Sequence, residues 1–372
     1  MSIRYHLGKF PPAAVDLAAL VPHIGRAQAA LARYDGLLTA VPNARLMFAP
    51  LTVQEAVLSS KIEGTQVTMG EVLEADADGG ALELSVEKRA DIEEVRNYRV
   101  ALTFAADAIA DRPLSEHLLR ETHALLMKGV RGEEKEPGRY RTDQNWIGAP
   151  GSAIDEASFV PIAPEHLAAG MNAWAAYLND EAEPDPIVQL AIAHVEFEAL
   201  HPFRDGNGRL GRMLVPLFLY RRALIGSPSF YMSGFFERHR DEYIERLRAV
   251  SDAEAWTEWC RFFLDGVTDQ AAENEHKVRA ILALYERVKV AIIDVTRSQH
   301  GVRALDFLFR RPVFGSAQFV EESEIPKPTA QRFIVLLREA DLLHTARPPR
   351  GRRGGIYVFT ELIEVIEGRS LR

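Results

Sequence analysis

The sequence predicts an all-α protein with two short β-hairpin interruptions. Three observations support this. Apolar residues recur at the helical period over most of the 372 residues. Two stretches, about 137–164 and 342–359, break that period around turn residues. No repeat of fixed length points to a solenoid. Helices are expected at about 13–40, 52–63, 69–75, 86–111, 114–127, 164–178, 186–200, 208–224, 236–249, 253–297, 302–309, 316–320, 328–340 and 361–368, with the 253–297 stretch broken near Thr268.

The first interruption holds Asn145-Trp146-Ile147-Gly148, a Pro150-Gly151-Ser152 turn and Ser158-Phe159-Val160-Pro161. The second holds Leu343-His344-Thr345 and Ile356-Tyr357-Val358-Phe359 around an arginine- and glycine-rich tip, Arg347 to Gly355. A boundary is expected near Ser298–Gly301. The order that follows, three helices and a hairpin in about 70 residues, is that of a winged helix-turn-helix. The division is then a helical region 1–112, a core 113–298 and a winged module 302–372.

Bulk properties narrow the function. The chain carries 44 Lys and Arg against 53 Asp and Glu, a net charge of −9, which argues against a surface dominated by nucleic acid. Residues 302–372 are the exception, with twelve basic against nine acidic side chains. Arg347, Arg350, Arg352 and Arg353 at the tip, with Thr329, Gln331, Arg332 and Arg338 on the helix before it, make DNA a candidate partner. The single cysteine, Cys260, excludes an internal disulfide and reads as a small core residue. No signal peptide or membrane span is expected, which makes the cytoplasm the default location.

The chemistry concentrates at His201-Pro202-Phe203-Arg204-Asp205-Gly206-Asn207-Gly208-Arg209. Asp185 and Pro186 start the preceding helix as N-cap and first position. Pro202 ends it, because the residue before proline is pushed out of helical geometry. A new helix opens near Arg209. Gly206 and Gly208 bracket Asn207 at that helix start, where backbone N–H groups and the positive helix end suit an anion. Arg209 and Arg212 lie in its first turns, a poor place for cations unless an anion completes the site. A polyphosphate fits. Asp205 offers a hard oxygen to the Mg²⁺ that accompanies ATP, and His201 can take a proton from a hydroxyl at neutral pH.

Residues His201 to Arg212 resemble the Fic family motif, His-x-Phe-x-Asp/Glu-Gly-Asn-Gly-Arg-x-x-Arg, at every fixed position. The resemblance implies a Fic-type helical core and a protein adenylyltransferase, which moves AMP from ATP to a Ser, Thr or Tyr hydroxyl. In it His201 is the general base, Asp205 the magnesium ligand, Gly206, Asn207 and Gly208 the α-phosphate cradle, and Arg209 and Arg212 the holders of the outer phosphates. It also implies a flap that lends its edge to the target's backbone, with Gln144, Asn145, Trp146 and Ile147 as one arm and Phe159 and Val160 as the other.

A brake is implied upstream. Ser59 and Glu63 share a helix face, and Gly64 reads as the residue that ends the helix. Glu63 sits at the negative helix end and lacks a cation. The three match the family's inhibitory Ser/Thr-x-x-x-Glu-Gly/Asn pattern, in which Glu63 pairs with Arg212, in a geometry that can be bidentate. Alternative readings are removal of AMP from proteins, alone or beside its addition, and a nucleotide-sensing DNA-binding regulator. Expected partners are ATP and an unidentified target protein, with self-modification and a homo-oligomer as further candidates.

Overall fold

The computed structural model describes residues 2–41, 48–79, 84–149, 151–350 and 353–368. Contacts divide the chain into two compact units of interleaved segments. Met1–Asp35, Leu58–Thr65 and Arg96–Ala272 form one; Gly36–Val57, Gln66–Val95 and Glu273–Arg372 form the other. Relative to the linear division at 112 and 298, residues 58–65 thus group with the core, and 273–298 with the C-terminal segment.

The first unit is organised around α7. Its elements, some continuing beyond it, are β1 (Ile3–Arg4), α1 (Leu17–Thr39), the end of α2 (Ala49–Ile62), α4 (Val86–Ala108), α5 (Glu116–Leu126), β2 (Phe159–Val160), α6 (Pro164–Leu178), α7 (Pro186–Leu200), α8 (Asn207–Arg221), α9 (Ser233–Arg238), α10 (Arg240–Ala253) and α11 (Trp256–Thr296). The start of α7 follows the sequence. Asp185 Oδ1 accepts from the N–H groups of Ile187 and Val188, both at 2.9 Å, and Pro186 is the first helical residue. Every residue of α7 except Pro186 and Glu198 is buried. Trp174 of α6 and Trp259 of α11 donate indole N–H bonds, both 2.7 Å, to the Ala193 and Ala191 carbonyls of α7. Burying two large rings with their polar edge satisfied fixes the helix that carries the site. Cys260, beside Trp259, is buried in the same core.

Two expectations are corrected here. α11 runs unbroken for 41 residues. Thr268 sits inside it with its hydroxyl donating to the Leu264 carbonyl at 3.0 Å, which satisfies that polar group, while the packing of Trp259, Phe263 and Val267 holds the helix across it. The expected hairpin at 137–164 shortens to one antiparallel bridge, Ile147 with Phe159, with a 3₁₀ turn at Ile154–Glu156 in the connection between them. Pro150, at its expected turn, lies outside the described residues. The other edge of β2 pairs in parallel with β1, Ile3 against Phe159 and Arg4 against Val160.

In the second unit, α3 (Met69–Asp78) begins with a capping box of Thr68 and Glu71 and ends at Gly79 in the left-handed conformation. α12 (Gly301–Arg310), β3 (Val313–Gly315), α13 (Ser316–Glu322), α14 (Lys327–Glu339), β4 (His344–Arg347), β5 (Ile356–Val358) and α15 (Thr360–Glu367) follow α11. The strands form an antiparallel sheet in the order β3-β5-β4. Phe307, Phe314 and Phe319 pack edge-on or tilted, with ring centres 5.0–5.4 Å apart. β3 also packs on α3, where Gln318 Nε2 reaches the Asp76 carbonyl at 3.3 Å. Arg347 pairs with Asp78. Arg350 and Arg353 are exposed, and Gly351 and Arg352 lie outside the described residues. No helix among the described residues is long and apolar enough to cross a membrane.

Candidate active site

α7 ends at His201, whose backbone turns into the left-handed region at φ 47°. Its N–H still bonds the Phe197 carbonyl at 3.1 Å. The loop that follows is closed by Asn207. Its Oδ1 accepts from the Phe203 N–H at 2.9 Å, and its Nδ2 donates to the Phe203 carbonyl at 2.8 Å. The Asn207 side chain therefore shapes the loop. Gly206, at φ 74°, makes the left-handed step into α8, with Met127 packed where a side chain would project.

The loop floors a cleft of about 790 Å³ within the first unit. His201, Asp205, Gly208 and Arg212 line it with Glu63, Glu198 and Trp146. His201 Nδ1 faces the Glu198 carbonyl at 3.4 Å. Burial is the main cause that pushes the His201 imidazole down to about 4, so it is a neutral base at pH 7.

Asp205 is gripped from a neighbouring turn. Its Oδ2 accepts from Lys135 Nζ at 2.8 Å, and its Oδ1 from the Gly206 N–H at 2.7 Å. Burial works to raise this carboxyl, but Lys135, Arg209 and the Gly206 N–H together hold it below its usual value. The Asp205 carbonyl faces His123 Nε2 at 2.9 Å, while the Gly138 N–H donates to His123 Nδ1 at 2.8 Å. That fixes a neutral His123 with its proton on Nε2; burial first of all pushes its imidazole down to about 4. The ring stacks on Phe203, 3.8 Å between centres. Among the described residues no group of three or more His, Cys, Asp or Glu side chains could hold a metal. A single hard carboxylate, answered by a cation, instead fits a Mg²⁺ ion whose other ligands come with a phosphate.

Arg212 is 2% exposed and meets the end of α2. Its Nε donates to Ser59 Oγ at 2.9 Å, and its Nη2 to the Ser59 carbonyl at 2.8 Å and Glu63 Oε1 at 2.7 Å. The Glu63 contact thus uses one guanidinium nitrogen; the bidentate geometry expected is not formed, because Ser59 takes the Nε edge. α2 ends in a Schellman turn: Thr65 N–H bonds the Ser60 carbonyl at 3.2 Å, Gly64 N–H the Lys61 carbonyl at 3.0 Å, and Gly64 takes φ 106°. Glu63 is therefore at the C-cap, where its charge needs the cation it meets. Burial works to raise its carboxyl, and Arg212 leads the groups that bring it below its usual value. Arg209 is also buried, with its Nη2 at 3.4 Å from Met127 Sδ and 3.8 Å from Asp205.

Of the flap residues, Trp146 and Ile147 line the cleft. The Gln144 side chain is turned to the Asn145 and Pro161 carbonyls, and Asn145 Nδ2 to the Phe203 carbonyl at 3.2 Å.

Several contributors were not singled out from the sequence. Arg141 is buried and donates to the carbonyls of His201, Asp143, Ile162 and Leu200, tying the α7 end to the flap. Arg240 donates to the Ile62 carbonyl at 3.3 Å, a second arginine on the α2 terminus. Tyr243 Oη lies 2.9 Å from His194 Nε2, beside Arg212. Glu198 lines the cleft with its Oε1 lacking a hydrogen-bond partner among the described residues, and burial pushes its carboxyl up to about 7. Only Glu198 had a nearby signal, in its position three residues before His201. The others come from loops and helices far off in sequence.

Residues 21–107 match the Fic/DOC family N-terminal model, and residues 113–219 the Fic/DOC family model. The chain belongs to the Fic/DOC family. A protein adenylyltransferase of Caenorhabditis briggsae is 39% identical to it over 88 residues, 23% of this chain and 16% of that protein. A probable protein adenylyltransferase of Aquifex aeolicus (strain VF5) is 28% identical over 207 residues, 54% of this chain and 56% of that protein. The crystal structure of a Fic family protein from Desulfovibrio desulfuricans G20 superposes with a TM-score of 0.58 at 22% identity, over 94% of this chain and 98% of that one. The chain therefore shares its fold with that Fic protein along nearly its whole length, and spans between a sixth and a little over half of these two curated relatives.

Proposed function

We propose that this Fic chain is a protein adenylyltransferase, restrained by Glu63, that transfers AMP from ATP to a Ser, Thr or Tyr hydroxyl of a target protein. The observation that carries the reading is the His201–Arg212 loop with His201, Asp205, Gly208 and Arg212 lining one cleft, and a neutral His201 among them. The names of the curated relatives agree with it.

In this reaction His201 takes the proton of the incoming hydroxyl. The oxygen forms a bond to the α-phosphorus, the bond from that phosphorus to the β-phosphate bridge breaks, and pyrophosphate leaves. N–H groups of the Gly206-Asn207-Gly208 turn hold the α-phosphate, with Arg209 and Arg212 on the outer phosphates. Asp205 would hold Mg²⁺, which neutralises phosphate charge when bound. The Trp146–Ile147 edge would receive the target's backbone. Glu63 restrains transfer by keeping the arginine that the terminal phosphate needs.

The test is incubation of the full chain with α-labelled ATP and Mg²⁺. Label should move to protein, faster with Glu63→Gly than with the natural chain, and His201→Ala should lower transfer by about 10²–10⁴-fold. Substantial transfer by the alanine variant would remove His201 from its role. Asp205→Ala should need much more Mg²⁺ for transfer, and an unchanged requirement would place the metal elsewhere.

For the C-terminal segment a DNA contact rests on exposed Arg332, Arg350 and Arg353. Arg347 supports it less, since Asp78 already engages it. The full chain should then bind duplex DNA with a steep salt dependence that weakens on replacing Arg350 and Arg353.

A further inference from the structure

Lys135 is the one cation that hydrogen-bonds an Asp205 carboxylate oxygen from outside the loop, among the contacts described above. Asp205 needs no second N–H donor there, since Gly206 already serves its other oxygen. Lys135 does not arrive by chance on a wandering surface arm. Its turn is tied down just after Lys135 at two points: Glu136 pairs with Arg204 at 3.0 Å, and Gly138 bonds the ring of His123, which faces the Asp205 carbonyl. Gly132, at φ 90°, brings the start of the same turn so close that a Cβ there would lie 3.0 Å from Asp205 Oδ2. The turn thus delivers an ammonium group to the oxygen that faces a cation.

From this, and resting on the nucleotide site proposed above, we infer that Lys135 fills the cation seat of Asp205 until Mg²⁺ arriving with the nucleotide displaces it. Lys135 thereby sets how much Mg²⁺ the site requires. Its side chain is 43% exposed and that of Asp205 36%, so the ammonium leaves into water at small cost. An exposed ion pair is worth up to about 1 kcal/mol, and a competitor of that strength raises the required metal concentration by at most about fivefold. Lys135 is a positioning residue in this scheme: it acts on the metal through Asp205, with no contact to reacting atoms.

The test measures ATP binding by calorimetry over a Mg²⁺ series. It uses the full chain carrying His201→Ala and Glu63→Gly, which removes turnover and frees Arg212. Lys135→Met should lower the Mg²⁺ midpoint for ATP binding by about two- to fivefold. Lys135→Arg keeps a cation on the turn and should stay near the parent. In an Asp205→Asn background, Lys135→Met should change nothing, because the seat is gone. An unchanged or raised midpoint with Lys135→Met overturns the inference, as does an equal fall with Lys135→Arg. A parent that binds no ATP at any Mg²⁺ concentration overturns the nucleotide site itself, and this role of Lys135 with it.

Discussion

Arg212 has three acceptors on α2, and Glu63 supplies one of them. The other two come from Ser59, one from its hydroxyl and one from its carbonyl. Removing the carboxylate leaves the guanidinium held on its Nε edge, so Glu63→Gly should free the terminal-phosphate seat without casting Arg212 loose. Glu63→Asp should release transfer partly, since the shorter chain reaches less well. Arg212→Ala should be poorly active with or without Glu63. The deciding measurement is transfer by Glu63→Gly with Arg212→Ala. A charge-assisted bond to phosphate is worth about 1.5–3 kcal/mol, so the pair should run roughly ten- to a hundredfold below Glu63→Gly alone. Equal rates would remove Arg212 as the shared group. Two titrations sharpen the picture. With His201 near 4 in the fold, transfer should be flat from pH 6 to 8 and fall only towards pH 4. Glu198 has the opposite sign. Its carboxyl is raised to about 7, so the unfolded chain loses this proton first, and stability is lost as the pH rises from about 4.5 to about 7. Glu198→Gln should flatten the thermal-midpoint profile across that window.

Among the elements, α7 and α8 were the most legible in the sequence. Asp185-Pro186, His201-Pro202 and Gly206 are local signals, each acting within a few residues of its own position, and each does in the fold what its chemistry implies. The end of α2 was legible for the same reason, since Gly64 needs its positive φ whatever surrounds it. The flap was less so. Its two arms share one bridge, and of the groups that hold it Arg141 lies in the stretch but not in the apolar pattern of its arms, while the β1 strand comes from far off in sequence. The break expected in α11 has a similar origin: a threonine reads as a weak helix former, but the packing of Trp259, Phe263 and Val267 is not visible in that residue. Arg141 carries a prediction at this scale. Arg141→Met keeps the stem and removes donors to four carbonyls. It should lower the thermal midpoint and speed hydrogen exchange at His201 and Phe203, since the loss of even two charge-assisted bonds costs about 3 kcal/mol or more. Unchanged exchange there would mean that the loop holds its shape without the flap.

At the scale of the whole molecule, chain order is a poor guide to what folds together. The last fifth of the sequence was expected to close on itself from about residue 302. In the fold, β3 packs on α3, and Gly315 approaches the Ala77 carbonyl so closely that a Cβ would lie 3.1 Å from it. A fragment of 302–372 would lose that cover and expose the face of its sheet. It should therefore unfold at a lower temperature than the same segment in the full chain, as followed by hydrogen exchange on β5, where Tyr357 and Ile356 are buried. A fragment equal in protection to the intact protein would show that α3 contributes nothing to it.

Gly208 sets a constraint on the history this sequence can have. Its backbone is an ordinary helical one, so alanine there would meet no objection from its own conformation. The objection comes from Glu63, whose Oε1 lies where the methyl would go, with an Arg212 nitrogen 3.0 Å from it. The two positions are thus epistatic. A methyl at 208 would have to push aside the ends of two flexible side chains, so Gly208→Ala should loosen the Glu63–Arg212 pair while glutamate stands at 63. A nucleotide held by the 206–208 backbone also calls for a bare position 208, so loss of the acid at 63 does not by itself free that site.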